Sequence, residues 1–188
     1  MKKLMLMLGV AVMAFGVQAA SFQWSTSASC YGIATTELNS LVDGTTYNAA
    51  TSGTANRMSK QSVTWTYTLI FTDTTDSSKT DTLTGAPVFN TTSKITDNTV
   101  SSALVVPGAD LAYSIVFTGT YKDANNVEWT LTSNEISGTW HANDQGDLIF
   151  STAAPSQWTA SGEAVPEPTS GLLMLVGLGA LALRRRRA

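Results

Sequence analysis

The sequence predicts an all-β domain between two apolar ends, built as an antiparallel β-sandwich, with a jelly roll or barrel as the competing architecture. Three observations point there. Between the apolar ends, residues 20–165 contain 27 Thr and 19 Ser among 146 positions. Charged residues make up only 13% of the whole chain, which disfavours helical bundles and coiled coils. Several segments alternate apolar and polar residues with period two, and Gly, Pro, Asn and Asp separate them.

The clearest strand is 63–72, VTWTYTLIFT. Val63, Trp65, Tyr67, Leu69 and Phe71 occupy one face, and mostly threonine occupies the other. A second runs over 111–121, with Leu111, Tyr113, Ile115, Phe117 and Tyr121 on one side. Residues 122–126, KDANN, have turn chemistry, and Val127, Trp129 and Leu131 then alternate with Glu128, Thr130 and Thr132. This spacing predicts a β-hairpin with a five-residue loop. Shorter strands are expected at 22–25, 80–84, 104–106, 136–140, 148–151 and 157–160. Residues 35–40 suggest a short helix, 42–60 a long loop, and 90–102 a second polar stretch.

The two ends have separate logic. Lys2 and Lys3 precede an uncharged apolar run at 4–17, and Val17 and Ala19 place small residues before a cleavage point. Residues 1–19 therefore read as a signal peptide, forming a signal helix, cut between Ala19 and Ala20 by signal peptidase. Cys30 does not directly follow the apolar run, so it does not fit a lipoprotein signal.

At the other end, residues 163–168 form a linker containing Pro166, Glu167 and Pro168. Prolines flanking Glu167 favour extended, protease-readable backbone. Residues 169–183 form a hydrophobic transmembrane helix, followed by Arg184, Arg185, Arg186 and Arg187 in the basic tail 184–188. Fifteen residues span roughly 22 Å as a helix, against about 30 Å of bilayer core. The segment can enter a membrane, and the arginines hold its end on the cytoplasmic side. Its short length suits temporary retention better than permanent anchorage.

The Pro-Glu-Pro motif, apolar helix and arginine cluster, in that order, resemble the PEP-CTERM sorting signal of Gram-negative bacteria. The resemblance covers about 24 residues of the tail and is supported elsewhere by the signal peptide. It implies processing near Pro166, Glu167 and Pro168 by an exosortase, a membrane-embedded cysteine transpeptidase. Arg184 to Arg187 would be the retention signal. It also implies association with the cell surface, biofilm or exopolysaccharide.

Residues 20–162 offer little chemistry. The chain has one Cys and one His, so no zinc set or internal disulfide can be assembled. Cys30 reads as a buried thiol and His141 as a surface residue. No G-x-S-x-G or S-x-x-K signature occurs. Glu128 and Glu135 are the one imaginable glycosidase pair. Asp73, Asp76 and Asp81, like Asn143, Asp144 and Asp147, lie in oxygen-rich loops without the spacing of a dedicated calcium loop. Asn90-Thr91-Thr92 fits a glycosylation acceptor pattern. Trp65 and Trp129 fall on apolar faces, whereas Trp24, Trp140 and Trp158 are the candidates to stack on a sugar. Residues 20–165 hold five basic residues against thirteen acidic, a balance of −8, which repels nucleic acid.

The expectation is a non-enzymatic protein without cofactor or metal, exported across the inner membrane and held there at least transiently. It is then delivered to the cell surface or extracellular matrix, with exopolysaccharide as a prospective partner. The alternatives are a carbohydrate-binding module using exposed aromatics and a permanently anchored single-pass membrane protein.

Overall fold

The computed structural model describes residues 20–96, 98–143 and 148–162. The expected signal helix, the Pro-Glu-Pro linker, the hydrophobic helix and the arginine tail lie outside the described residues. Ten strands are present: β1 (Ala20–Thr26), β2 (Thr46–Asn48), β3 (Thr64–Asp73), β4 (Thr80–Gly85), β5 (Asn98–Ser102), β6 (Asp110–Lys122), β7 (Glu128–Ser133), β8 (Ile136–His141), β9 (Ile149–Thr152) and β10 (Gln157–Gly162). Among the described residues there is no α-helix, and no helix is long and apolar enough to cross a membrane. The helix expected at 35–40 is a single 3-10 turn, Leu38–Ser40, which buries Leu38.

Seven strands form one sheet in the order β2-β10-β7-β6-β3-β4, with β8 also paired to β6; the other three form a sheet in the order β5-β1-β9. The strands expected at 63–72, 111–121 and 127–132 are β3, β6 and β7. Alternation decides their faces: Trp65, Tyr67, Leu69 and Phe71 are buried, as are Ile115, Phe117 and Leu131. The small sheet supplies Phe22, Trp24 and Phe150 to the same core. Phe22 packs edge-on to Phe71 at 5.4 Å, and Trp24 to Tyr67 at 4.8 Å. Each such ring removes about 150–250 Å² from water, or ~4–6 kcal/mol before entropic costs. The two sheets thus face each other across a shared aromatic core.

Aromatics also govern where glycine enters the strands. Trp65 registers against Gly119, Trp129 against Gly162, Tyr113 against Gly138 and Tyr67 against Gly85. A Cβ on Gly119 would lie 2.4 Å from the Trp65 ring. The ring occupies the space a side chain would need, so it covers the backbone that glycine leaves bare.

The outer face of the large sheet is threonine. Thr66, Thr118, Thr132, Thr159 and Thr46 stand in register across five adjacent strands. β-branched hydroxyl residues suit a pleated, wet surface.

Three features depart from the sequence-based expectation. The small sheet is not wholly antiparallel, because β9 runs parallel to β1. After β8 the chain crosses from one sheet to the other, so β9 arrives beside β1 in the same direction. A strand at 98–102 replaces the one expected at 104–106, and β2 forms inside the expected loop. β7 and β8 form one interrupted strand along β6. Thr118 pairs with Thr132 and Ile115 with Ile136, so three steps on β6 oppose four on its neighbour. That is a β-bulge at 133–135. At the bulge Phe117 N–H donates to Ser133 Oγ at 2.9 Å instead of to a ladder carbonyl. Asn134 Oδ1 accepts from the N–H groups of Ser156 and Gln157, both at 2.9 Å, and so sets the start of β10.

Candidate functional site

The functionally informative region is where β10 hands the chain to its C-terminal tail. β10 lies between β2 and β7. Its end is clamped from one side by the loop preceding β2. Gly44 N–H donates to the Ala160 carbonyl and Ala160 N–H to the Thr45 carbonyl, both at 2.9 Å. Gly162 N–H donates to Asp43 Oδ1 at 3.1 Å. Gly44 has a φ of 72°, a left-handed conformation that glycine adopts without strain. On the other side Trp129 lies over Gly162, and its indole N–H donates to Asp123 Oδ2 at 3.2 Å. Sequence reasoning missed Asp43, since a lone Asp-Gly in a polar stretch signals only a turn.

The last strand therefore ends at a defined pole. Gly162 registers with Trp129, which registers with Tyr121, beside the 123–127 loop. Desolvation works against ionisation of Asp123, but hydrogen bonds from the Val127 N–H, the Trp129 indole and the Asn125 N–H outweigh it, and the carboxyl sits below its ordinary value.

Ala20 lies at the opposite pole. β1 runs with Phe22 against Phe71 and Trp24 against Tyr67, so its start points toward the Asp73 end of β3. Ala20 pairs with Ser102 at the outset of the described structure. At this pole Asp73 and Asp76 sit in the β3–β4 turn. Hydrogen bonds from Thr75 lower the Asp73 carboxyl, and those from Ser78 lower that of Asp76. Lys79 lies 3.9 Å from Asp73 and 3.5 Å from Asp76. These carboxylates thus cap their own turn. A cleft of about 690 Å³ opens beside them, with Leu104, Val106, Ala109 and Leu111 in its wall.

The remaining expected residues separate by burial. Trp24 and Trp158 are fully buried, each at 0% exposure, which corrects their reading as sugar-stacking residues. Trp158 packs 4.8 Å from Trp65 and donates its indole N–H to the Tyr31 carbonyl at 3.1 Å. Trp24 is wedged between Tyr67 and Phe117. Their flanking residues are polar, so strand alternation alone was too short to assign them to the core. Trp140 is half-buried on β8, with Phe22, Phe71 and Phe150 within 6 Å of its ring. It alone of the three keeps a path to solvent.

Glu128 opens β7, whereas Glu135 lies past its end in the bulge. The length of that strand separates them, so they do not form a facing pair. Cys30 is buried, and burial pushes its thiol pKa up, partly offset by the Thr26 hydroxyl and the backbone of Ile95. His141 is exposed, with Nδ1 2.8 Å from Asp110 Oδ1. Asn90 Oδ1 accepts from the Thr92 N–H and hydroxyl at 2.9 and 2.8 Å, which makes this tripeptide a closed turn. Asp144 and Asp147 lie outside the described residues, as do Ala19, Pro166, Glu167, Pro168 and Arg184 to Arg187.

Residues 164–187 match the PEP-CTERM protein-sorting motif. No curated protein and no solved structure matches the chain. The motif begins two positions beyond the end of β10.

Proposed function

We propose, from the PEP-CTERM motif at residues 164–187, that this is a non-enzymatic exported protein delivered to the cell envelope or extracellular polysaccharide matrix and trimmed by an exosortase. The observation that carries this reading is the order of parts. An all-β domain ends at Gly162, and the motif follows at once. Chemistry supports it: the tail combines a protease-readable strip, a segment that can enter lipid, and arginines that resist crossing. The domain adds a wet hydroxyl face, and the balance of −8 over residues 20–165 helps it stay soluble among acidic surface polymers. Signal peptidase acts at Ala19 and Ala20, and the mature chain begins in β1.

Intact mass of the protein recovered from the cell surface tests this. Loss of both apolar ends is expected. A full-length tail that remains with inner membrane would instead establish a permanently anchored single-pass protein. The carbohydrate-binding alternative now rests on Trp140. Tryptophan emission unchanged across a panel of acidic and neutral glycans would remove it.

A further inference from the structure

We propose that the pole carrying the 123–127 loop and Asp43 is the surface that meets the membrane-embedded transpeptidase, and that the fold sets the length of the tether that presents the tail. This rests on the reading above and goes beyond it by naming a docking face. The chain is clamped as far as Gly162 by Asp43 and by the Ala160 bonds to Gly44 and Thr45. Six residues, 163–168, separate it from the apolar run. At ~3.3–3.6 Å each they reach at most about 20 Å. Glu167 is closer still. The sandwich itself is longer, since the ten residues of β3 cover about 33 Å at ~3.3 Å per residue. A tail seated in the bilayer therefore holds this pole, and not the Ala20 pole, near the enzyme's exposed face.

The composition of the pole fits a brief encounter. It presents Ala124, Asn125 and Asn126, with Lys122 and Glu128 at the base of the hairpin, all exposed. Val127 is half-buried in this loop and Val42, beside Asp43, is exposed, so the pole offers only a small apolar contact to hold a product after the cut. Ala20 emerges at the far pole, so the mature N-terminus points away from the enzyme. The cleft beside Leu104 and Val106 points the same way, because it lies at the Asp73 end.

The test is a tether series in cells that process the parent chain, read as the fraction trimmed over time. Deletion of residues 163–165 removes half the tether and should slow trimming tenfold or more. Insertion of Gly-Ser-Gly-Ser after Gly162, and the length-preserving substitution Glu163→Gln, should be trimmed at the parental rate. A photo-crosslinking residue at Asn125 should form an adduct with the transpeptidase, whereas one at Thr75 should not. Parental trimming of the deletion variant overturns the proposal, as do equal adducts from both poles. Equal slowing of the length-preserving variant also overturns it, because the effect would then belong to side chains. A parent chain that is never trimmed overturns the sorting reading itself.

Discussion

Three tryptophans show how a single polar atom decides a residue's role. Trp65, Trp129 and Trp158 donate their indole N–H to the Met58 carbonyl, Asp123 and the Tyr31 carbonyl respectively. The Trp24 N–H is buried with no partner among the described residues. Losing a satisfied bond and orphaning its acceptor costs more than removing a group that was already unpaired. Trp158→Phe should therefore destabilise the domain by about 1 kcal/mol more than Trp24→Phe, measured as the difference in urea-unfolding free energy. Equal costs would mean that ring volume, and not the hydrogen bond, sets the contribution. Burial of these residues was hard to read in the sequence. Trp65 sits in a ten-residue alternation that reveals its face, whereas Trp24 and Trp158 sit in short strands flanked by Ser, Thr and Gln.

At the scale of elements, the bulge and the acidic turns carry separate tests. Ser133 replaces a backbone carbonyl as the acceptor for Phe117 N–H, and it is nearly buried. Ser133→Ala leaves that N–H orphaned and should cost about 1–3 kcal/mol. Ser133→Thr retains the hydroxyl and should recover part of the loss. Asp73, Asp76 and Asp123 all have carboxyls held below the ordinary aspartate value of 3.8. In the window between their folded values and 3.8 the folded chain binds fewer protons than the unfolded one. Their contribution is thus complete above that window and is lost as pH falls through it. The urea midpoint should drop as pH falls below the ordinary value of 3.8 and through the lower folded values, and the triple Asp→Asn variant should show a flatter profile. An unchanged slope in that variant would locate acid sensitivity elsewhere.

Legibility of the elements followed their burial. β3, β6 and β7 announce themselves because one face of each enters the core, so every second residue is apolar. β5 and β2 do not, because as short edge strands they bury little and read as polar loop. The parallel pairing of β1 with β9 joins residues more than a hundred positions apart, and no local pattern encodes it. The bulge at 133–135 falls in the polar run Ser133-Asn134-Glu135, where no apolar alternation marks it.

For the whole molecule, polarity is the organising property. The strands place Ala20 and Gly162 at opposite poles, and both apolar ends of the sequence adjoin those positions. The tail was the most legible part of the chain, because its three segments act through generic chemistry: restricted backbone, lipid preference and charge. The role of the domain was the least legible, since a two-sheet β domain with a hydroxyl surface serves many purposes. What the fold adds is a hydrogen-bonded end of β10 at Gly162.

The most direct measurement is the intact mass of the mature protein, read at its C-terminus. The account predicts a chain that begins at Ala20 and ends near Pro166, Glu167 and Pro168. A mature surface protein still carrying Arg184 to Arg187 would contradict it.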